Sequence, residues 1–151
     1  MKKSRLIALT AAGLLMSGAA LAADQCSAEI TGNDQMKYDL ASIAVPASCK
    51  DFTVTLKHVG KMAKAAMGHN WVLTTPADKQ SVVTEALKAG PSKDYLPDDP
   101  AKIIAHTKLI GGGQSDSVTF PVSKLKAGQE YVYFCTFPAH ATLMHGTLTV
   151  K

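Results

Sequence analysis

A chain of 151 residues is enough for one well-packed core and short for two domains. Its formal charge of +4 looks basic, yet three of the 16 basic residues, Lys2, Lys3 and Arg5, stand at the extreme N-terminus; without them 13 lysines face 12 acids, a balance of +1. With no block of lysine or arginine anywhere in the chain, that balance argues against a nucleic-acid surface.

The predicted elements begin with a segment that is not part of the fold. After its positive start, Leu6 to Leu21 is almost wholly apolar or small, and Ala20-Leu21-Ala22 supplies a small-x-small cleavage pattern. The apolar core is shorter than the ~20 residues a bilayer needs. The expectation is a secretory signal over residues 1–22, removed after Ala22, leaving 23–151 as a single domain with no membrane-inserted segment. Gly32-Asn33-Asp34 then reads as a turn. Asp51 to His58 alternates, with Phe52, Val54, Leu56 and His58 on one face, and predicts a half-buried strand. Trp71 to Thr74 is a shorter strand candidate. Ala77 to Ala89 holds good helix formers and ends at Gly90-Pro91, which predicts one helix. Asp94 to Pro100 reads as a surface loop and Gly111-Gly112-Gly113 as a turn. Ser117 to Val122, Tyr131 to Phe134 and Thr147 to Val150 are β-branched or aromatic runs, with the turn Ala127-Gly128 between the first two. Several short strands and one helix fit an all-β, two-sheet antiparallel sandwich or barrel with a helical excursion.

Three cysteines in an exported chain leave an odd thiol. Cys26 and Cys49 lie in the N-terminal third, while Cys135 lies among other metal donors, so the first two are paired. That cross-link is worth roughly 3–4 kcal/mol in the chain-entropy model. Cys135 left free in an oxidising compartment is exposed to disulfide exchange and oxidation, and metal ligation would protect it.

The donors around it are dense. Cys135, His140 and Met144 fall on one loop with Cys-x4-His-x3-Met spacing, where a strand of aromatic residues ends and before the strand that follows Gly146. Thiolate, imidazole and thioether together suit copper better than the hard divalent ions. Pro138 fixes its own φ and discourages helix at Phe137. A fourth donor must come from elsewhere: His69, with Gly68 beside it to let the backbone and its carbonyl come close. Taken singly, a cysteine at a strand end is ordinarily a small buried apolar group, a histidine a satisfied polar one, and a methionine packing. The joint spacing and the odd thiol are what favour a metal. His106 and His145 are expected to be non-ligands. Asn70 is expected to hold the ligand loops by hydrogen bonds.

Met67-Gly68-His69-Asn70-Trp71-Val72-Leu73, Ile104 to Gly111 and Phe134-Cys135-Thr136-Phe137-Pro138, with Gly32 to Met36 and Lys93 to Leu96, resemble the azurins, bacterial periplasmic proteins of the cupredoxin family. The resemblance covers essentially all of residues 23–151. It implies an eight-stranded Greek-key β-sandwich with one external helix around residues 77–89, located in the periplasm. It implies one type 1 copper ion cycling between Cu(I) and Cu(II), held equatorially by His69, Cys135 and His140, with Met144 and the Gly68 carbonyl as weak axial contacts and Cys26–Cys49 as the disulfide. One-electron exchange with redox proteins such as c-type cytochromes or periplasmic reductases follows, through the His140 ring edge and an apolar patch of Met62, Ala66, Met67, Phe137, Pro138, Ala139 and Leu143. His58, on the apolar face of its strand, reads by itself as a buried, hydrogen-bonded histidine. It matches one near the copper region of those proteins whose protonation is linked to the redox state, which makes it a candidate tuning residue, and Phe137 and Asn70 would flank the ligands. The chain departs from the pattern at Ala139, where glycine is usual, at Val59 and Ala63, where prolines are usual, and at His145. Three rivals use the same residues: a copper carrier that hands its ion on, a zinc hydrolase needing an open position and a general base, and a thiol enzyme pairing Cys135 with His140.

Overall fold

The computed structural model describes residues 25–151; the predicted signal segment lies outside the described residues. Nine strands form: β1 Ser27–Asn33, β2 Lys37–Tyr38, β3 Ser42–Val45, β4 Asp51–His58, β5 Val72–Thr74, β6 Ala105–His106, β7 Ser115–Pro121, β8 Glu130–Phe134 and β9 His145–Val150. They make two sheets, one in the order β2-β1-β4-β7 and one in the order β3-β9-β8-β5-β6. The architecture is the expected all-β sandwich of two sheets. Among the described residues nine strands are counted rather than eight; two of them, β2 and β6, are two-residue pairings at sheet margins, and the other seven run three residues or more.

The sheets are mixed, which corrects the expectation of purely antiparallel pairing. β1 pairs β4 in parallel, Ser27 opposite Thr53 through Gly32 opposite His58, and β3 pairs β9 in parallel. The chain leaves β1 and β2, contributes β3 to the other sheet, and returns as β4. That crossover is the connection parallel neighbours require. β1 and β3 went unread in the sequence because β1 carries one large apolar residue, Ile30, and β3 is only four residues long.

β4 behaves as its alternation dictates, with Phe52, Val54, Leu56 and His58 buried and the residues between them facing outward. Between the sheets Trp71 lies parallel to Tyr133 and Phe120, ring centroids 5.7 and 6.2 Å away. This aromatic layer, with Ile30, Leu56 and Leu148, is the rigid floor on which the polar end of the molecule rests. The predicted helix is α2, Lys79–Ala89, stopped by Gly90 in a left-handed conformation (φ 70°). Its Val82 and Ala86 are buried, Val82 against Val72 and Phe134 on the outer face of the second sheet. A one-turn helix, α1 Lys64–Met67, was not expected, since four residues are too few to show a helical period.

Cys26 and Cys49 form a disulfide with Cα atoms 5.6 Å apart, as expected. It joins the chain just before β1 to the chain just before β4. Because those strands run in parallel, their far ends, at Gly32 and His58, lie about 17 Å away at the opposite end of the sandwich. Among the described residues no helix is long and apolar enough to cross a membrane.

Candidate metal centre

The opposite end is built on the loop between β8 and β9. Cys135, fully buried, follows the last residue of β8 directly. Its N–H donates to the Met144 carbonyl (3.0 Å), which closes the loop at its base. Inside, the N–H of His140 donates to Phe137 O (3.0 Å), and those of Leu143 and Met144 donate to His140 O (2.9 and 2.8 Å). The result is a tight 3₁₀ turn at His140–Thr142 entered through Ala139, whose φ of 68° is left-handed. Pro138 and Ala139 thus give the loop one shape, which points Cys135, His140 and Met144 inward; all three are buried.

His69 comes from across the sheet. A short antiparallel bridge, His69 N–H to Ile110 O (2.9 Å) and Ile110 N–H to His69 O (2.8 Å), fixes its backbone. A Cβ on Gly68 would lie 2.6 Å from Lys64 O and 2.9 Å from Leu109 Cδ2, so only glycine fits there. The Gly68 carbonyl lies 3.8 Å from Cys135 Sγ. One donor atom each from His69, Cys135 and His140 lie within 4.8 Å of one another, and Cys135 Sγ is 3.5 Å from His140 Nδ1.

The protonation pattern suits a metal. His69 Nε2 donates to the Asn33 carbonyl at 2.9 Å, leaving Nδ1 buried without a hydrogen-bond partner. A buried unpartnered nitrogen costs on the order of 1–3 kcal/mol, which a bound cation would offset. Burial, and then the nearby His69 and His58, pull His140 down to about 4, and burial lowers His69 as well. Both rings are therefore neutral near pH 7, as ligation requires. Burial pushes the Cys135 thiol up to about 12 against the lowering effect of the Asn70 and Phe137 backbone N–H groups. A thiol so inert is the opposite of an activated nucleophile, which argues against the thiol-enzyme reading. A soft sulfur and two neutral imidazoles, one with an orphaned nitrogen, clustered in the interior fit a copper ion.

Asn70 ties the two ligand segments together: Thr136 N–H donates to its Oδ1 (2.9 Å) and its Nδ2 donates to Thr136 Oγ1 (2.7 Å). The ring of Phe137 lies 4.7 Å from that of His140 and is backed by Tyr95 at 5.3 Å. His58 is buried with its ring 4.2 Å from that of His69, and its Nε2 is 3.1 Å from Asp34 Oδ1. The carboxyl of Asp34 is held below its usual range, chiefly by the Lys61 backbone N–H. His106 and His145 are exposed and stand outside the cluster. Of the predicted patch, Leu143 is 58 % and Met62 40 % exposed. Ala66 and Ala139 are exposed too, and Met67, Phe137 and Pro138 half-buried, so none of the seven is core.

Four residues around the donors escaped sequence reasoning. Gly32, Asn33 and Asp34 were read as a mere turn, and Tyr38, whose hydroxyl donates to the Asn70 carbonyl, was not singled out. Their partners are 24 to 36 positions away in sequence, and no local pattern announces such pairings.

Residues 24–151 match the family model described as copper binding proteins of the plastocyanin/azurin family. The chain is 56 % identical over 144 residues to an azurin of Pseudomonas aeruginosa, covering 95 % of this chain and 97 % of that one. It is 55 % identical over 148 residues to an azurin of Achromobacter denitrificans (97 % and 99 % covered) and 53 % identical over 126 residues to one of Bordetella pertussis (83 % and 84 %).

Proposed function

The chain belongs to the plastocyanin/azurin family of copper-binding proteins, and from that premise we propose that His69, Cys135 and His140 are its equatorial copper ligands, with Met144 and the Gly68 carbonyl as weak axial contacts. The protein is a blue copper electron-transfer protein with a single copper site. We read it as a carrier rather than an enzyme, exported to the periplasm, and exchanging electrons with redox proteins such as c-type cytochromes or periplasmic reductases.

The ion supplies a one-electron Cu(I)/Cu(II) couple when bound. What the protein contributes is fixity. Asn33 holds the proton on His69 Nε2 and so presents Nδ1; the Asn70–Thr136 pair locks the His69 segment to the Cys135 segment; and the Cys135–Met144 backbone bond shuts the loop. Ligands held on hydrogen-bonded backbone from two strands relax little when the charge at their centre changes. Cys135 would hold the ion as its thiolate, its proton passing to solvent. Leu143, on the donor loop, and Met62 are exposed apolar side chains, which supports a surface suited to brief docking.

The observation that carries this reading is the convergence of Cys135 Sγ, His140 Nδ1 and a ring nitrogen of His69 in one buried cluster. Its test is the optical and EPR spectrum of the copper-loaded, oxidised protein. An intense blue thiolate band with a narrow copper hyperfine splitting is expected; a colourless protein with an ordinary tetragonal signature overturns the assignment. For the docking patch, Met62→Lys and Leu143→Lys are expected to slow stopped-flow exchange with a c-type cytochrome, and unchanged rates would remove it.

A further inference from the structure

Gly32, the sixth residue of β1, has no conformational need to be glycine, since its φ is not in the left-handed range. Space is what it provides. A Cβ there would lie 2.8 Å from His69 Cδ2 and 3.1 Å from the Met144 ε-methyl, so one absent side chain adjoins two of the proposed ligands at once. The strand cannot retreat: Gly32 lies opposite Tyr38 on one side and His58 on the other, and its carbonyl accepts the Val59 N–H at 2.8 Å.

The two neighbours differ in what they can yield. The His69 ring has the His58 ring at 4.2 Å, its Nε2 hydrogen bonded to Asn33 and its backbone bridged to Ile110. Met144 is buried too, but its unbranched thioether has three rotatable bonds and can give the few tenths of an ångström its contact asks, whereas the closer approach to His69 Cδ2 forces the ring or the strand itself to shift. We infer that Gly32 is a positioning residue of the metal centre: by lacking a side chain it lets the His69 ring and the Met144 thioether share one space, and so sets the axial sulfur contact. This rests on the ligand assignment proposed above. Because the axial ligand tunes the potential of such centres, the consequence reaches the redox couple from a strand that supplies no donor.

The test compares Gly32→Ala with Val54→Ala, a truncation in the core of β4 away from the donors. In the copper-free protein, Gly32→Ala is expected to shift the NMR resonances of the Met144 ε-methyl and His69 Cδ2–H, while Val54→Ala leaves both in place. In the copper-loaded protein, Gly32→Ala is expected to shift the thiolate band, the copper hyperfine splitting and the reduction potential, and Val54→Ala none of them. A Gly32→Ala protein matching the parent in all of these overturns the inference. If Gly32→Ala does not fold, the double variant Gly32→Ala/His69→Ala, which removes the ring in closest approach, is expected to fold and to differ in its Met144 ε-methyl resonance from His69→Ala alone. A double variant that fails to fold or shows no such difference also overturns it. Resonances that move in the copper-free protein while the loaded parent is colourless would sink the ligand assignment and leave the packing role of Gly32 standing.

Discussion

The two ends of this sandwich treat cysteine in opposite ways. At one end Cys26 and Cys49 are joined covalently beside an apolar margin of Val122, Leu125 and Val150. At the other, about 17 Å along β1 and β4, Cys135 is a free buried thiol, and two of the three orphaned buried nitrogens, on His58 and His69, keep it company. One end contributes stability and no chemistry. The other holds polar atoms in a geometry the metal-free fold would not choose on its own. A small domain can tolerate the second because the first constrains the unfolded chain.

The division is sharpest where it can be broken outright. Cys135→Ser is expected to abolish the intense colour of the copper-loaded protein while leaving a folded sandwich by circular dichroism; a blue variant would mean the colour arises elsewhere. The converse experiment is Cys26→Ala/Cys49→Ala. It should lower stability to urea by about 2–5 kcal/mol and leave the optical spectrum and copper hyperfine splitting unchanged. A spectral change there would mean the two ends are mechanically coupled, and the separation drawn above would fail.

A third test uses pH on the copper-free protein. His140 is depressed to about 4, so the unfolded chain binds more protons than the folded one between about pH 4 and 6.5, and stability falls as pH drops through that range. Cys135 is raised to about 12, so above pH 9 the folded chain keeps a proton the unfolded one loses, and stability falls as pH rises. Thermal unfolding should therefore show a plateau between about pH 6.5 and 9. Cys135→Ser is expected to remove this thiol's share of the alkaline loss, on the order of 4 kcal/mol by pH 12; an unaltered alkaline limb would show that burial does not hold the Cys135 thiol above its ordinary value in the folded chain.

What the sequence made legible follows the same line. Cys135, His140 and Met144 could be read because they share one loop, where spacing alone carries information. His69 was legible only indirectly, as the histidine beside glycine that the donor set of the loop called for, since no spacing ties it to Cys135. The alternation of β4 and the Gly90-Pro91 stop after α2 were local signals, and the structure follows them. The parallel pairings of β1 and β3 were not legible, because their partners are chosen by the crossover between sheets and not by any run of residues. Nor were Asn33, Asp34 and Gly32: a backbone carbonyl, a carboxylate in a turn and a missing side chain leave no periodic trace. Donors are encoded by residue type; the groups that orient them are encoded by topology.

The smallest effect lies within the donor loop itself. Ala139 sits at φ 68°, ψ −7°, the left-handed region that an L-residue with a Cβ enters at a cost of about 1–2 kcal/mol. Ala139→Gly would relieve that cost. Glycine also gives the unfolded chain more freedom, which takes back about 0.4–1 kcal/mol. Ala139 is exposed, so little packing is lost with its methyl. The difference favours glycine by about 0.5–1 kcal/mol, which for a domain of this size is a rise of roughly 2–4 °C in the unfolding temperature of the copper-free protein. The urea midpoint should rise with no change in slope, and the colour of the loaded protein should persist, since no donor is touched. A fall in stability instead would mean that the Ala139 methyl makes contacts worth more than its backbone strain, and that the metal end is less strained than its left-handed corner implies.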